Sequence, residues 1–373
     1  MTTYYDRAAI LPGRSSTRSK APGQLWPIGE GPHYARAGNG ARLRCDDGRW
    51  YTDMLCALGA VSLGYGESWQ GEIIEGVTSL PQVSEILAAE AVLEHVAPWA
   101  SSVRFVRTGS EATHGALMVA RRATGRQVVH RLRGSYHGWH EQWQEGGSSA
   151  VRDVYYFSAG DIPNARNTAA VIIEPPRWEI YNRDWLRAVV DAAHSAGALV
   201  IFDEMIYGGR WALGGATEYF AVKPDIACFG KALGNGAPVG IIVGNEALAE
   251  HGECISGTYS GDAHAAWSLI GTLDAYKEHG VIEHMWARGE QLQAGLRDAV
   301  AASSIDAHVE GAPVHQRIRF DNPELGPAFS AEMVKRGIIW HPQCTNIMLA
   351  HTEAIIDEVI EAAAVSLEAM NGR

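Results

Sequence analysis

The sequence has few of the features that mark membrane, secreted or nucleic-acid-binding proteins. No apolar run approaches the length of a membrane span, and residues 1–7 lack the apolar core of a signal peptide. No basic run is present, and the formal net charge of −12 argues against a surface for nucleic-acid backbone. These absences favour an acidic globular enzyme with neither a membrane nor a nucleic-acid partner.

Signals for a metal site or a nicotinamide-cofactor site are also missing. The five cysteines form no Cys-x-x-Cys pair and no zinc-ligand spacing, and their scatter favours reduced thiols in the cytoplasm. The glycines form no Gly-x-Gly-x-x-Gly turn that is followed by a ribose-binding acid. We therefore expect no bound metal and no Rossmann-type dehydrogenase.

What the sequence does contain is a long chain in which short apolar segments alternate with helical patterns. A length of 373 residues suits a large domain with a smaller partner. The alternation, which begins near residue 100, is typical of an α/β fold with a mostly parallel central sheet. We predict an N-terminal arm and small-domain segment at residues 1–45, a large domain at 46–272, and a small C-terminal α+β domain at 273–373.

Local patterns give more detailed expectations. Residues 11–31 are polar and rich in proline and glycine, so we expect an extended segment, and residues 41–53 are expected to form a hairpin. Strands are expected at 103–106, 128–130, 169–173, 198–204 and 226–229, and helices at 111–123, 184–196, 265–279, 285–302 and 353–369.

Polar residues stand where the predicted parallel strands end. Ser110, Glu174, Asp203 and Lys231 all fall at or just past such an end. Because ligands in parallel sheets bind at the carboxyl ends of the strands, we expect these side chains to form one site.

Lys231 and Asp203 are the two residues with the most specific chemistry. Lys231 follows the apolar run 226–229, where burial would favour a neutral amine of the kind that forms Schiff bases with aldehydes. Asp203 ends another apolar run, and a buried aspartate can keep a pyridine nitrogen protonated. The pair predicts pyridoxal-phosphate chemistry.

Longer motifs support this reading. Residues 203–210 (DEMIYGGR) followed by 229–231 (FGK) resemble the cofactor core of fold-type-I pyridoxal-phosphate enzymes. The closest resemblance is to the class III aminotransferases, in particular their glutamate-1-semialdehyde aminomutase-like subgroup. Three further motifs occur in the order typical of that family, at residues 108–112 (TGSEA), 134–138 (GSYHG) and 257–261 (GTYSG).

The resemblance implies roles around the cofactor ring. Lys231 would bind pyridoxal 5′-phosphate as a Schiff base and move the proton, and Asp203 would pair with the pyridine nitrogen. Tyr136 would lie over the ring, and Met205 would lie against it. His137 would support Asp203, or it is instead a core histidine with satisfied hydrogen bonds.

The resemblance also implies a phosphate site that two chains share. Thr108, Gly109 and Ser110 would bind the phosphate at a helix start, although a plain N-cap serine is the alternative. Glu174 would lie beside the ring or form a hydrogen bond with a neighbouring loop. In relatives the threonine that matches Thr258 contacts the phosphate of the neighbouring subunit, which implies a homodimer.

Several positions depart from the aminomutase-like subgroup. Arg18 falls where the subgroup has an arginine for the substrate carboxylate, with Arg14 as a rival, and Leu58 replaces an aromatic residue. Residues 340–346 (WHPQCTN) lack the glutamate of the matching stretch. The interval 136–174 is shorter than in relatives and lacks what would be their active-site gate. Since aminomutases retain an intermediate behind such a gate, we expect a different reaction.

The expected reaction is transamination between an amine or amino-acid donor and a carbonyl acceptor. A decarboxylase, aminomutase or racemase on the same scaffold is the alternative. A shortened cover leaves a more open site, and Trp139, Trp143 and Trp178 are candidates to line it for a bulky substrate, unless they pack in a core or interface. A non-catalytic relative would be expected to lack Lys231 or Asp203, and both are present.

Overall fold

The protein is described from a computed structural model. The described residues are 3–16, 21–22, 28, 32–39, 42–52, 76–144, 153–175, 182–235, 237–336, 338, 340, 345–349 and 351–370. They form two compact units, of which the first ends at Asp274 and the second begins at Ala275. The division into segments at 1–45, 46–272 and 273–373 stays a prediction.

The N-terminal part of the first unit contains a short helix and a small sheet. The helix is α1 (Tyr4–Arg7), and the antiparallel sheet has the strand order β1 (Ala35–Asn39), β2 (Arg42–Cys45) and β3 (Trp50–Thr52). The predicted hairpin is therefore confirmed. The extended conformation expected from residue 11 is wrong for Pro12–Arg14, which form a 3₁₀ turn.

A seven-stranded sheet forms the centre of the first unit, in the order β4-β10-β9-β8-β7-β5-β6. The strands are β4 (Ser102–Val106), β5 (Val128–Leu132), β6 (Val154–Phe157), β7 (Thr168–Ile173), β8 (Leu199–Asp203), β9 (Ile226–Gly230) and β10 (Gly240–Gly244). Strand β10 is antiparallel to both of its neighbours, and the remaining pairs are parallel. The mostly parallel sheet that the sequence predicted is confirmed. Strand β10 was not predicted, and its short connection from β9 is compatible only with an antiparallel neighbour.

The first unit contains further helices, of which Gly109–Thr124 and Arg183–Ser195 pack against strands of this sheet. They are α2 (Val83–Ala91), α3 (Gly109–Thr124), α4 (Arg183–Ser195), α5 (Gly215–Phe220), α6 (Glu246–His251) and α7 (Ala263–His279), which continues past the boundary at Asp274. Every residue of β4, β7, β9 and β10 is buried, as is typical of strands covered on both faces. Leu117 of α3 belongs to one buried cluster with Ile172 and Ile201 of the sheet.

The second unit is of α+β type. Its antiparallel sheet contains β11 (Ala307–Ala312), β12 (His315–Phe320) and β13 (Thr345–Asn346), and its helices are α8 (Val281–Ala302), α9 (Leu325–Lys335) and α10 (Glu353–Met370). Helices α8 and α10 pack against each other. Across the described ranges of both units, no helix combines the length and apolar character needed to span a membrane.

Candidate active site

The predicted site residues in the large sheet lie at one edge of it. Strands β4, β5, β7, β8 and β9 run in the same direction, so their carboxyl ends lie at this edge. The predicted site residues there are Thr108, Gly109 and Ser110 after β4, Tyr136 and His137 after β5, Glu174 after β7, Asp203 at the end of β8, and Lys231 after β9.

Lys231 begins a single 3₁₀ turn where β9 ends. Its backbone has φ 46°, a left-handed conformation that is uncommon for a lysine. The preceding Gly230 has no room for a side chain, because a Cβ there would lie 2.7 Å from the carbonyl oxygen of Val239. The predicted burial of Lys231 is wrong: the residue is exposed, since the chain turns away from the sheet immediately after Gly230. The amine is therefore accessible to a small molecule.

Asp203 is buried and held by two hydrogen bonds. Its Oδ2 lies 2.9 Å from Nδ1 of His137, and its Oδ1 accepts from the backbone N–H of Met205 at 3.2 Å. An ionised carboxylate only accepts hydrogen bonds, so Nδ1 of His137 carries the proton. Of the two expectations for His137, contact with Asp203 is the one that the structure supports.

The ring of His137 is fixed from a second side by Trp143. The two rings meet edge to face, with centroids 5.4 Å apart and planes at 67°. Trp143 is itself buried, so the suggestion that it lines the mouth of the site is wrong. It packs beneath the site because its backbone oxygen accepts a hydrogen bond from the buried Arg131.

The helix start after β4 has the form of an anion cradle. Thr108 is the N-cap of α3, and its hydroxyl accepts from the N–H of Glu111 at 3.2 Å, so the alternative that Ser110 is the N-cap is wrong. Gly109 and Ser110 supply the first-turn N–H groups, where the helix dipole favours negative charge. The hydroxyl of Ser110 accepts from the backbone N–H of Trp139 at 3.2 Å.

The loop after β5 packs closely on this helix start. A Cβ at Gly138, where φ is 104°, would lie 2.5 Å from the hydroxyl oxygen of Ser110. Only glycine allows this approach. The loop also contains Tyr136, whose N–H donates to Oε2 of the buried Glu174 at 3.0 Å. For Glu174 the structure therefore supports the expected hydrogen bond with a neighbouring loop.

Met205 lies between the helix start and the strand that precedes Lys231. Its sulfur would be 2.8 Å from a Cβ at Gly109 and 3.0 Å from a Cβ at Gly230. The side chain is buried, and its thioether fills the space that these two glycines leave open.

Sequence reasoning missed Glu204, which follows Asp203 but serves another contact. Its buried carboxylate accepts from the N–H groups of Ala216 and Thr217 at 2.9 and 2.8 Å, and from the Thr217 hydroxyl at 2.7 Å. Burial raises the pKa of Glu204 to about 7, against the opposing effect of these hydrogen bonds. The presence of two successive acids at the end of an apolar strand could have indicated that the second acid is buried with partners of its own.

The remaining predicted residues lie elsewhere or outside the described residues. Thr258 is in the turn in which the N–H of Ser260 donates to the oxygen of Gly257 at 3.2 Å. The guanidinium of Arg14 donates to the carbonyl of Tyr5 and stacks over its ring, with a distance of 4.2 Å to the centroid. Outside the described residues are Arg18, Leu58, Trp178 and 341–344.

These residues fit pyridoxal 5′-phosphate. Its aldehyde needs an accessible amine, which Lys231 offers. Its pyridine nitrogen needs a buried acceptor, and Asp203 has lone pairs to offer, since each of its oxygens has one partner among the described residues. Its phosphate needs N–H groups with no obstructing side chain, and Gly109 presents one at a helix start.

Comparison with known proteins gives a consistent result. The family model described as "Aminotransferase class-III" matches residues 145–369. The glutamate-1-semialdehyde 2,1-aminomutase of Thermomicrobium roseum is 31% identical over 91% of this chain and 92% of that protein. The 3-aminobutyryl-CoA aminotransferase of Cloacimonas acidaminovorans is 29% identical over 98% of this chain and 96% of that protein.

The fold agrees with a solved structure of a transaminase with pyridoxal phosphate bound. The two share a TM-score of 0.72 at 22% identity, over 99% of this chain and 98% of the other. The predicted fold type and cofactor are therefore confirmed. The chain belongs to the class III aminotransferase family of pyridoxal-phosphate-dependent enzymes.

Proposed function

We propose that this protein transfers an amino group between an amine or amino-acid donor and a carbonyl acceptor. The observation that carries the proposal is an exposed amine, Lys231, at the sheet edge that also holds the buried Asp203–His137 pair. Family membership alone leaves the reaction open, because the relatives include an aminomutase as well as an aminotransferase.

Lys231 has two tasks in this proposal. Bound pyridoxal phosphate supplies an electron sink for the negative charge that develops at the donor's α-carbon. Lys231 would hold the cofactor covalently, and its amine would be the base that takes the proton from that α-carbon. Its place on an exposed turn just past Gly230 gives the side chain room to serve both tasks.

The other residues at this sheet edge would bind and orient the cofactor. Asp203 would accept a hydrogen bond from the protonated pyridine nitrogen, and the Nδ1–H of His137 holds the carboxylate in one orientation. Gly109 and Ser110 would bind the phosphate through their N–H groups, with Thr108 as the helix cap. Glu174 accepts from the backbone N–H of Tyr136, whose ring would lie over the cofactor.

The substrate in this proposal has a bulky apolar part. Tyr136 and Trp139 lie in the loop after β5 with 58% and 68% of their surface exposed, which leaves two aromatic faces for a ligand. The ring of Trp139 stacks on His140, with centroids 4.9 Å apart. Arg18 stays the candidate for a substrate carboxylate, and Arg14 is a weaker one because its guanidinium already bonds Tyr5.

The proposal includes a homodimer in the cytoplasm. Thr258 would complete the phosphate site of a second chain, as the family resemblance implies. Two of the described cysteines, Cys228 and Cys254, are free thiols, which supports a reducing compartment.

The test is to add candidate amine donors to the holoenzyme without an acceptor and to follow the absorbance of the bound cofactor. Transamination predicts stoichiometric conversion to the amine form, which a 2-oxo acid or aldehyde then reverses. Release of CO₂ without conversion would instead support decarboxylation. Borohydride reduction followed by peptide mapping should find the cofactor on Lys231, and an adduct on Lys223 would contradict its role.

Aminomutase activity is the second candidate, because the relative from Thermomicrobium roseum bears that name. It predicts that glutamate 1-semialdehyde is isomerised with no external amino acceptor consumed. The same absorbance experiment distinguishes transamination from aminomutase activity. A mutase leaves the cofactor in its starting form after each turnover.

A further inference from the structure

Arg104 is a fully buried cation in the middle of β4. Its side chain does not form an ion pair among the described residues but donates to backbone carbonyl groups from two distant segments. Nε donates to the oxygen of Ile255 at 2.9 Å, with a second bond from Nη2. Nη1 donates to the oxygen of Pro12 at 2.7 Å and to that of Ser15.

Both segments lead towards residues to which the proposed function gives a role. Pro12 and Ser15 precede Arg18, the candidate for a substrate carboxylate. Ile255 precedes the turn 257–261, which contains Thr258. One guanidinium therefore bonds the N-terminal segment and the approach to the Thr258 turn at the same time.

Glu85 of α2 also contacts both the N-terminal segment and the Thr258 turn. Its Oε1 accepts from the N–H of Ser16 at 2.7 Å. Its carboxyl carbon would lie 2.5 Å from a Cβ at Gly261, where φ is 71°, so the end of the Thr258 turn rests against this carboxylate. Both Glu85 and Arg104 are buried, so their charges act on each other with little screening.

The end of the turn is also tied to the phosphate cradle. Asp262 pairs with Arg107, the residue directly before Thr108, and its other oxygen accepts from the N–H of Ala265 at 3.2 Å in the first turn of α7. A shift of the turn 257–261 is thus coupled to the start of α3.

We infer that Arg104, together with Glu85, is a positioning residue that sets the Thr258 turn and the N-terminal segment relative to the cofactor site. Its side chain bonds backbone oxygens, so it would act through the backbone of these two segments. The inference deepens the proposed function and rests on it for the roles of Thr258 and Arg18.

The chain offers a matched control in Arg126. Its guanidinium also donates to three backbone oxygens, those of Thr168, Ala196 and Gly197, at 3.1, 2.8 and 3.0 Å. Thr168 begins β7 and Gly197 precedes β8, so these contacts lie at the sheet edge opposite the candidate site. A general loss of stability should follow from either substitution, whereas a positioning effect should follow only at Arg104.

The experiment compares wild type with Arg104→Lys, Arg104→Met and Arg126→Met by amide hydrogen exchange, with and without pyridoxal phosphate. Lysine keeps the charge but lacks the planar fork, so it cannot bond both segments. We expect faster exchange at 13–16 and 255–261 in both Arg104 variants, and unchanged exchange there in the Arg126 variant. We also expect about a tenfold or greater rise in the dissociation constant for pyridoxal phosphate, as the loss of a charge-assisted contact would give.

Hydrogen exchange measured without cofactor tests the positioning role of Arg104 independently of the proposed function. If wild-type protein fails to bind the cofactor through Lys231, the proposed function fails while the exchange result still decides the positioning role. If Arg104→Met does not fold, the same exchange and affinity measurements are made on Arg104→Lys and Glu85→Gln. Wild-type exchange at both segments in a folded Arg104 variant, with cofactor affinity within twofold of wild type, would overturn the inference.

Discussion

The Nδ1 atom of His137 lies 2.9 Å from Oδ2 of Asp203, and both side chains are buried. The histidine donates this bond, and Trp143 holds its ring from the edge. Asp203 is therefore fixed in orientation before any ligand arrives. A fixed carboxylate that needs no reorganisation is what stabilisation of a cofactor cation requires.

Replacing Asp203 by asparagine tests this relationship. A neutral amide cannot keep the pyridine nitrogen protonated, so kcat should fall by the equivalent of about 3 kcal/mol or more, while the cofactor stays bound to Lys231. Steady-state kinetics and the absorbance of the bound cofactor measure the two effects. Activity within a few-fold of wild type would mean that Asp203 has only a structural role.

A second histidine–aspartate pair provides the control for this substitution. Asp225 accepts from His194 at 2.9 Å and from the N–H of Val200 at 2.7 Å, at the opposite edge of the sheet. Asp225→Asn should leave kcat unchanged. An equal loss of kcat in both variants would indicate damage to the sheet rather than to the site.

Glu204 predicts a pH dependence of stability. Burial raises its pKa from 4.5 to about 7, so the folded state favours the protonated carboxyl. Its stabilising contribution is fully present below about pH 4.5 and is lost as the pH rises through about 7, a change of about 3 kcal/mol by linkage. The measurement is the free energy of unfolding in urea between pH 4.5 and 7.

The variant Glu204→Gln isolates this effect. The amide cannot ionise, so the decline that wild type shows between pH 4.5 and 7 should flatten. Its stability at low pH should be lower than that of wild type, because the amide nitrogen faces one of the N–H donors of Ala216 and Thr217. Parallel pH curves for the two proteins would show that another group causes the decline.

Trp139→Ala tests the proposed substrate class. Its backbone N–H, which binds Ser110, remains in the variant, so the phosphate cradle should persist. The KM for a bulky aromatic amine should rise about five- to tenfold, as the loss of an aromatic contact gives, while a small aliphatic amine is little affected. Tyr155→Ala, on the edge strand β6 and half exposed, is the control. Equal changes for both amines would remove Trp139 from the substrate site.

The position of the site, at the carboxyl ends of the parallel strands, could be predicted from the sequence because short apolar runs end at polar residues. Asp203 and Lys231 could be paired in this way without knowledge of the contacts around them. The exposure of Lys231 and the burial of Trp143 could not be predicted, since both depend on the path of the chain after a strand or through a loop.

The hydrogen-bond partners of Arg104 could not be predicted from the sequence either. A cation between Val103 and Phe105 in an apolar strand signals that buried polar partners exist. Those partners are the backbone oxygens of Pro12, Ser15 and Ile255, which no residue type reveals.

Thr258→Ala tests the site and the assembly together. If the hydroxyl reaches the phosphate of the other chain, cofactor affinity should fall about ten- to hundredfold, as the loss of a charge-assisted hydrogen bond gives, without unfolding either subunit. Mixing Lys231→Ala chains with Thr258→Ala chains then distinguishes the arrangements. In a mixed dimer one site contains both changes and the other contains neither, so active sites of full affinity should reappear. Demonstrated heterodimers without such recovery would place Thr258 in the site of its own chain or outside the site, and the shared-site proposal would be wrong.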